Sequence, residues 1–327
     1  MILVLNCGSQ SVKWKIFDEN LNLISQDRKE YYKKSLAEKV LRDELKKIKN
    51  SHSSIEFIGH RVVHPISELA PLHNPFELLG IKAAKKEFAK AKHLIVFDTD
   101  FFKDLPLVSQ VYPLPEFLRK KYSIRRFGFH GISHQYLTQK TSEILKKPLK
   151  SLNLITLHLG GGCSMAAIKN GQPIDTSMGF TPLEGLVMMS RAGDLDPGIL
   201  IFLAKKIGIK NLEKILNKES GLKAIAGITN FKKILTKKDK KSKLAVEIFI
   251  YRIKKYISAY FGVLKGKVDA IVFSGEIGAG LPKTRNLILK DLSFLKKTKI
   301  LVIPTDEEYQ IAKEIKGKWK KFFKKTQ

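Results

Sequence analysis

Three short apolar runs, rich in β-branched residues, lead straight into glycine-bearing turns. Ile2–Leu5 enters Asn6-Cys7-Gly8-Ser9-Gln10-Ser11, Leu154–Leu157 enters His158-Leu159-Gly160-Gly161-Gly162, and Val268–Phe273 enters Ser274-Gly275-Glu276-Ile277-Gly278-Ala279-Gly280. Glycine in such turns lets backbone N–H groups face inward and approach an anion closely, as phosphate-binding loops require. No Walker A sequence is present, and no G-x-G-x-x-G opens a βαβ unit. Charged side chains flank these turns. Arg61 follows a strand at Phe57-Ile58 and a turn at Gly59-His60, Asp98 follows the apolar run Leu94–Phe97, and Arg191 lies in the loop Ser190–Pro197. Each alone reads as a structural ion pair. Together they suit phosphoryl transfer, which needs positive charge around three equatorial oxygens, a carboxylate for Mg²⁺ and in-line positioning.

Six of the eight histidines add to this set: His60 and His64 in GHRVVHP, His73 in APLHNP, His130 and His134 in FGFHGISH, and His158 at the mouth of the second glycine turn. A histidine beside a turn is ordinarily a structural hydrogen-bonder, and clustering with arginines and glycine loops is what raises these as candidates. His130 and His134 stand four apart, on one helix face, but Gly131-Ile132-Ser133 offers no glutamate for an H-E-x-x-H zinc hydrolase. A G-x-S-x-G nucleophile elbow is also lacking, so serine hydrolysis is excluded.

The elements that hold these groups follow from periodicity. After the first two turns the chain resumes as strands, Val12–Phe17 and Ser164–Ile168, the latter ending at a turn Asn170-Gly171, so both read as hairpins. The third glycine turn runs into a helix, whose N-terminus attracts anions. Two strand–hairpin openings imply two domains of similar build, with a phosphorylated ligand held in a cleft between them. Asn211–Asn217 and Leu244–Val263 carry apolar residues at helical spacing, and a final helix begins at Asp306-Glu307-Glu308 with Thr305 as its N-cap. Phe231–Lys243 reads as a hydrophilic loop.

Composition limits the alternatives. The chain has 327 residues with 60 Lys plus Arg against 31 Asp plus Glu, a net charge of +29, and 43% hydrophobic residues. That length suits about two domains, and the apolar content excludes a disordered chain. Two cysteines, Cys7 and Cys163, exclude a disulfide framework and a cysteine zinc site. They read as small fillers by the loops and as candidate sites for thiol reagents. The opening run Met1–Leu5 stops at Asn6 without a basic segment before it, and the apolar stretch Leu244–Leu264 carries Glu247, Arg252, Lys254 and Lys255. Neither a signal peptide nor a membrane span is read there, and a cytoplasmic location is expected. The basic excess gathers at Lys82–Lys92, Phe231–Lys243 and the tail Lys313–Lys325. A non-catalytic nucleotide-binding protein, or a basic binder of nucleic acid or membrane, is the competing class. The tail is read instead as a solvated helix face and a frayed end, without such partners, so that deletion of Lys316–Gln327 leaves catalysis intact.

The segments MILVLNCGSQSVKWKIF, GHRVVH, LAPLHNP, VFDT, RRFGFHGISH, HLGGGCSMAAIKNG, DTSMGFTPLEGL, SRAGDLDP, VDAIVFSG and VIPTDEE, in this order from residue 1 to about 312, resemble the acetate kinase family. The resemblance implies an α/β fold of two ribonuclease-H-like domains, of the actin, Hsp70 and sugar-kinase type, flanking a nucleotide cleft. Residues 1–100 with 306–327 would form the acetate and phosphate side, and 101–305 the nucleotide side. The implied reaction is reversible transfer of the γ-phosphoryl group of ATP to acetate, giving acetyl phosphate and ADP, with Mg²⁺ or Mn²⁺, in a homodimer. By the same resemblance Arg61, Asp98, His130 and Arg191 carry catalysis, and Val63, Leu72, Phe129 and Pro182 form the acetate methyl pocket. Asn6 and Glu307 attend the metal, and Ser9, Ser11 and Lys13 line the first phosphate loop. His158, Leu159, Gly160, Gly161, Gly162, Asn230, Phe231, Lys232, Glu276, Ile277, Gly278, Ala279 and Gly280 bind nucleotide.

The chain departs from the family pattern on the nucleoside side. Gly161 stands where the family loop HLGNG has asparagine, Asn230-Phe231-Lys232 replaces an Asp-x-Arg, and Glu276 and its neighbours replace GIGEN. The chain is also shorter than typical members, with losses before Gly59 and between Leu289 and Ile300. A different phosphoryl donor, pyrophosphate or another nucleotide, and propionate as acceptor are therefore the alternatives within the same chemistry.

Overall fold

The computed structural model describes residues 1–8, 10–31, 34–66, 69 and 74–323. The chain forms two compact units, Met1–Asp100 with the segment from Asp306 onward, and Phe101–Thr305. In the first unit the strands are β1 (Ile2–Cys7), β2 (Ser11–Phe17), β3 (Leu23–Glu30), β4 (Phe57–Val62) and β5 (Lys92–Phe97). In the second they are β6 (Leu154–Leu159), β7 (Cys163–Lys169), β8 (Gln172–Thr176), β9 (Ala270–Ser274) and β10 (Lys299–Val302). The sheet orders are β3-β2-β1-β4-β5 and β10-β9-β6-β7-β8, which are the same order met from opposite edges. In each, an antiparallel three-strand meander is extended by two parallel strands. The expectation of two similarly built α/β halves, each with a hairpin as the first two strands of its sheet, agrees with this architecture.

The central strands explain where polar groups can stand. β1 (ILVLNC) and β6 (LITLHL) are buried along their length except at the fifth residue, Asn6 and His158, which are half-buried. Continuous apolar runs of this kind belong to strands covered on both faces. On one face of the first sheet Leu3 and Leu5 pack with Leu41, Leu45 and Ile48 of the helix Lys34–Ser51 and with Ala84 and Phe88. On the other lies the helix Glu307–Phe323, in contact with β1, β2, β4 and β5. In the second unit the helix Gly131–Leu145 covers β6 and β9, sharing a core of Leu137, Leu154, Ala166 and Val272. The helix Lys240–Val263 buries Ala245, Phe249, Ile253 and Ile257, one residue per turn, and touches β6 and β7. No helix among the described residues is long and apolar enough to cross a membrane.

Four local readings change. Gly59-His60 is not a turn but the middle of β4. Glycine is needed there for packing, since a Cβ would fall 2.7 Å from Ile311 Cγ2 and closer still to Ile315 Cδ1. Phe231–Lys243 is not a loop: Phe231–Thr236 is helical, and Lys240 opens the long helix, with Asn230 and Asp239 accepting from Lys233 N and Ser242 N as N-caps. Phe231 and Ile234 are buried, an i, i+3 apolar pair hidden among lysines. The final helix is capped by Asp306, whose Oδ1 accepts from Tyr309 N at 2.9 Å, rather than by Thr305. The basic tail is not frayed through Trp319, whose ring lies 4.5 Å from that of Phe57. Its removal strips a contact from the first core.

Gly59→Val tests the close approach of helix and sheet. It is expected to lower the midpoint of urea unfolding by a shift equivalent to about 1–3 kcal/mol, the usual cost of overpacking. An unchanged midpoint would mean that the helix sits loosely on β4.

Candidate active site

In the first unit the polar groups gather at the C-terminal ends of the parallel strands β1, β4 and β5, where ligands of open α/β sheets bind. Asn6 is the penultimate residue of β1, Arg61 lies near the end of β4, and Asp98 directly follows β5. Arg61 Nη2 meets Asp98 Oδ2 at 3.0 Å, Nη1 donates to Asn6 Oδ1 at 3.4 Å, and Nε lies 3.7 Å from Glu307 Oε2. Burial works against the guanidinium charge, but Asp98, Glu307 and Glu77 outweigh it and raise its pKa above the ordinary value. Glu307 and Glu308 open the final helix. Glu308, fully buried, accepts from Asn6 Nδ2 at 3.0 Å and Lys13 Nζ at 3.2 Å. Burial, with Asp98 and Glu308 nearby, raises the pKa of Glu307, while Arg61 and Lys13 pull the other way.

This donor set fits magnesium. It offers the hard carboxylate and amide oxygens of Asp98, Glu307 and Asn6, the donor type that Mg²⁺ takes. Among the described residues no three His, Cys, Asp or Glu side chains converge as an ion cage.

In the second unit the loop between β6 and β7 is closed by Gly160 N donating to Gly162 O at 3.0 Å. A Cβ at Gly162 would fall 3.2 Å from His130 Nε2 and 3.9 Å from Arg191 Nη1, so glycine lets both side chains approach the loop. A Cβ at Gly161 would meet nothing within 4 Å, leaving room for a side chain. His130 caps the helix Gly131–Leu145 in a left-handed conformation, φ 56°. Its ring stacks on His158 at 4.4 Å, and His158 Nδ1 shares a hydrogen bond with Ser133 Oγ at 2.9 Å. Arg191 is positioned by backbone. Met188 N donates to Arg191 O, Met189 N to Gly161 O, and Ser220 N to Ser190 O. Gly221, at φ 65°, has no room for a Cβ against Arg191 O and N, at 2.6 and 2.8 Å. Burial works against the charge of Arg191 and lowers its pKa. Among the described residues no carboxylate pairs with it, and its Nη1 contacts only Met188 Sδ, at 3.8 Å.

Other candidates are placed differently. Leu159, Phe231 and Ile277 are buried, Phe231 against the Phe249 ring at 4.8 Å, so they support loops from below. Asn230 spends its side-chain oxygen on a helix cap. Lys232, Glu276 and Gly280 are exposed, while Gly278 and Ala279 lend their carbonyls to Arg285 Nη1, at 2.8 Å each. Ser11 binds the first turn through its carbonyl, which accepts from Gly8 N at 2.9 Å. Val63 donates its N–H to Glu77 Oε2 at 3.0 Å within the first unit; Phe129, buried, and Pro182, half-buried, belong to the second. Ser9, Leu72 and His73 lie outside the described residues. His60 alternates with Arg61 and pairs with His93 at 3.0 Å; burial drives its pKa down to about 3, a structural histidine rather than an acid or base.

Two ribonuclease-H-like units of this order are the architecture of the actin, Hsp70 and sugar-kinase class, here with an arginine, carboxylate and histidine set suited to phosphate. The acetokinase family model matches residues 65–298, and the chain belongs to that family. It is 38% identical to the acetate kinase of Sulfurovum sp. over 386 aligned positions, covering 96% of this chain and 97% of that one. The acetate kinase of Carboxydothermus hydrogenoformans is 39% identical, with 96% and 98% covered. Among solved structures, Porphyromonas gingivalis acetate kinase superposes with a TM-score of 0.84 at 32% identity, covering 96% of this chain and 98% of that one. A propionate kinase from Francisella tularensis reaches 0.86 at 33%, with the same coverage.

Two expectations follow from burial. The Cys7 and Cys163 thiols are buried and pushed up to about 12, so the reading of them as thiol-reagent sites is replaced by one of inert core residues. Native protein should resist iodoacetamide at pH 8 and be alkylated at both positions only after unfolding; fast native labelling would contradict that burial. Burial also raises the Glu77 carboxyl from 4.5 to about 7. The fold then favours its protonated form, so stability is present below pH 4.5 and lost as pH rises toward 7. Glu77→Gln, which still accepts from Val63 N, should flatten the fall in melting temperature across that window; an unchanged slope would assign it to other groups.

Proposed function

We propose that the chain catalyses reversible, Mg²⁺-dependent transfer of the γ-phosphoryl group of ATP to acetate, giving acetyl phosphate and ADP by direct in-line displacement. The observation that carries this reading is Arg191: a half-buried guanidinium, without a carboxylate partner among the described residues, beside His130 and a glycine loop. A partly desolvated cation without a carboxylate partner calls for an anion, and a phosphoryl group supplies one.

Acetate is already ionised, so no base is needed to make the nucleophile. The barrier is the approach of two anions. Arg61 holds the acetate carboxylate, and Arg191 and His130 stabilise the phosphoryl group in flight, as fixed donors that need no reorganisation. Asn6 and Glu307, with Asp98 beside them, would hold Mg²⁺, which when bound neutralises phosphate charge. By likeness to the family, Val63, Leu72, Phe129 and Pro182 are assigned to recognition of the methyl group. One extra methylene costs about 1–3 kcal/mol in such a pocket, which makes propionate a poorer substrate and not an excluded one.

A second donor is favoured by the nucleoside side, where Asn230 is committed to a cap and Glu276 is exposed in place of a family glycine. Cytoplasmic location and a homodimer are part of the proposal. The latter is supported by the apolar residues exposed on the second unit, Val108 at 93% and Phe202 at 59% among them.

Acetyl phosphate formation, trapped as the hydroxamate, tests the proposal with ATP, GTP and pyrophosphate as donors. Turnover with ATP is expected, falling about 10²–10³-fold in Arg191→Ala, the usual loss of one transition-state donor. Turnover with pyrophosphate alone would move the protein to another donor class. No product with any donor would overturn the proposal.

A further inference from the structure

The second unit contains a line of polar groups behind His130 that the reaction itself does not use. Thr156 sits on β6 and Ser164 on β7, both fully buried, with the fully buried His134 between them. Thr156 Oγ1 lies 2.7 Å from His134 Nδ1, His134 Nε2 lies 2.8 Å from Ser164 Oγ, and Ser164 Oγ lies 2.8 Å from His130 Nδ1. Four side chains thus form one unbroken hydrogen-bonded row ending at the ring that faces Gly162. Burial holds His134 neutral, its pKa well below the ordinary histidine value, so it carries one ring proton.

Hydroxyl accounting gives the row a direction. Among the described residues the Thr156 hydroxyl has His134 as its hydrogen-bond partner. Were it only to accept from His134, its own hydrogen would be buried without an acceptor, at a cost of roughly 1–3 kcal/mol. Thr156 therefore donates to His134 Nδ1. The His134 proton is then on Nε2 and is donated to Ser164 Oγ, which leaves the serine hydrogen for His130 Nδ1. An Nδ1 that accepts obliges neutral His130 to carry its proton on Nε2.

We propose that Thr156, His134 and Ser164 are positioning residues that fix His130 in the Nε2–H form, so that the atom beside the glycine loop is a donor and not a lone pair. The opposite polarity would aim a lone pair at an anion and turn attraction into repulsion. The inference rests on the phosphoryl-transfer reading for its consequence, but not for the protonation state it assigns. Threonine is the residue that sets the sign: serine and histidine can each be read in either direction, and the chain's end cannot.

Nitrogen NMR of the full chain, labelled with ¹⁵N-histidine, reads the tautomer directly, with His130→Gln assigning the signal. Wild type is expected to show an unprotonated Nδ1 and a protonated Nε2 at His130. Ser164→Ala and Thr156→Val should each move the signal toward the other tautomer or a mixture, while Ser164→Thr and Thr156→Ser keep it. In the acetyl phosphate assay the first pair should lose about 10–100-fold in kcat with KM for acetate and nucleotide unchanged, the usual scale for outer-shell orienting groups. The hydroxyl-retaining pair should recover most of it. Should Thr156→Val not fold, Ser164→Ala decides alone. A wild-type His130 protonated on Nδ1, or a Ser164→Ala variant with unaltered resonances, overturns the proposal. Absence of turnover in every form overturns the phosphoryl-transfer reading and leaves the spectrum to judge the tautomer.

Discussion

Strands buried on both faces impose the constraint from which the rest of this structure follows. β1 and β6 have no face left for water, so a polar side chain on either one must find a buried partner, as Thr156 does in His134, or stand at the end, where the sheet opens. Asn6 and His158 occupy that place in equivalent positions of the two sheets. The neighbouring parallel strands repeat the pattern in the first unit, where Arg61 and Asp98 reach the same edge. A protein built this way concentrates its charge at sheet ends because a charge elsewhere in these layers would be desolvated without a partner.

The two units meet that constraint with opposite electrostatics. In the first, Arg61 is surrounded by carboxylates that more than offset its burial. In the second, Arg191 is placed by backbone hydrogen bonds and a contact with Met188 Sδ, and among the described residues no acid compensates its charge. This division accounts for an enzyme that handles anions while having four carboxylates, Glu77, Asp98, Glu307 and Glu308, near one arginine and its neighbours.

Much of this was readable from residue order. The glycine turns, Arg61, Asp98, His130 and Arg191 lie in short segments whose local chemistry is visible, and the strand–hairpin openings predict the repeated sheet. What could not be read are contacts made across the sheet. Thr156 and Ser164 sit inside apolar strands and look like ordinary small core residues until β6 and β7 are paired and the helix Gly131–Leu145 is laid over them. Glu307 and Glu308 differ by one step of helix, yet one faces Arg61 and the other Asn6 and Lys13. Phe231 was obscured for the opposite reason, a core residue surrounded in sequence by lysines.

The helix Glu307–Phe323 belongs to the first unit although the whole of the second is encoded before it. Synthesis runs from the N-terminus, so the second unit is contiguous on the ribosome and can complete its core as soon as it emerges. The first cannot. Its sheet face bearing Gly59 and Phe57 waits, apolar and uncovered, until Ile311, Ile315 and Trp319 arrive. The half made first is therefore finished last, and during that interval the chain depends on whatever shields an open β-sheet in the cell.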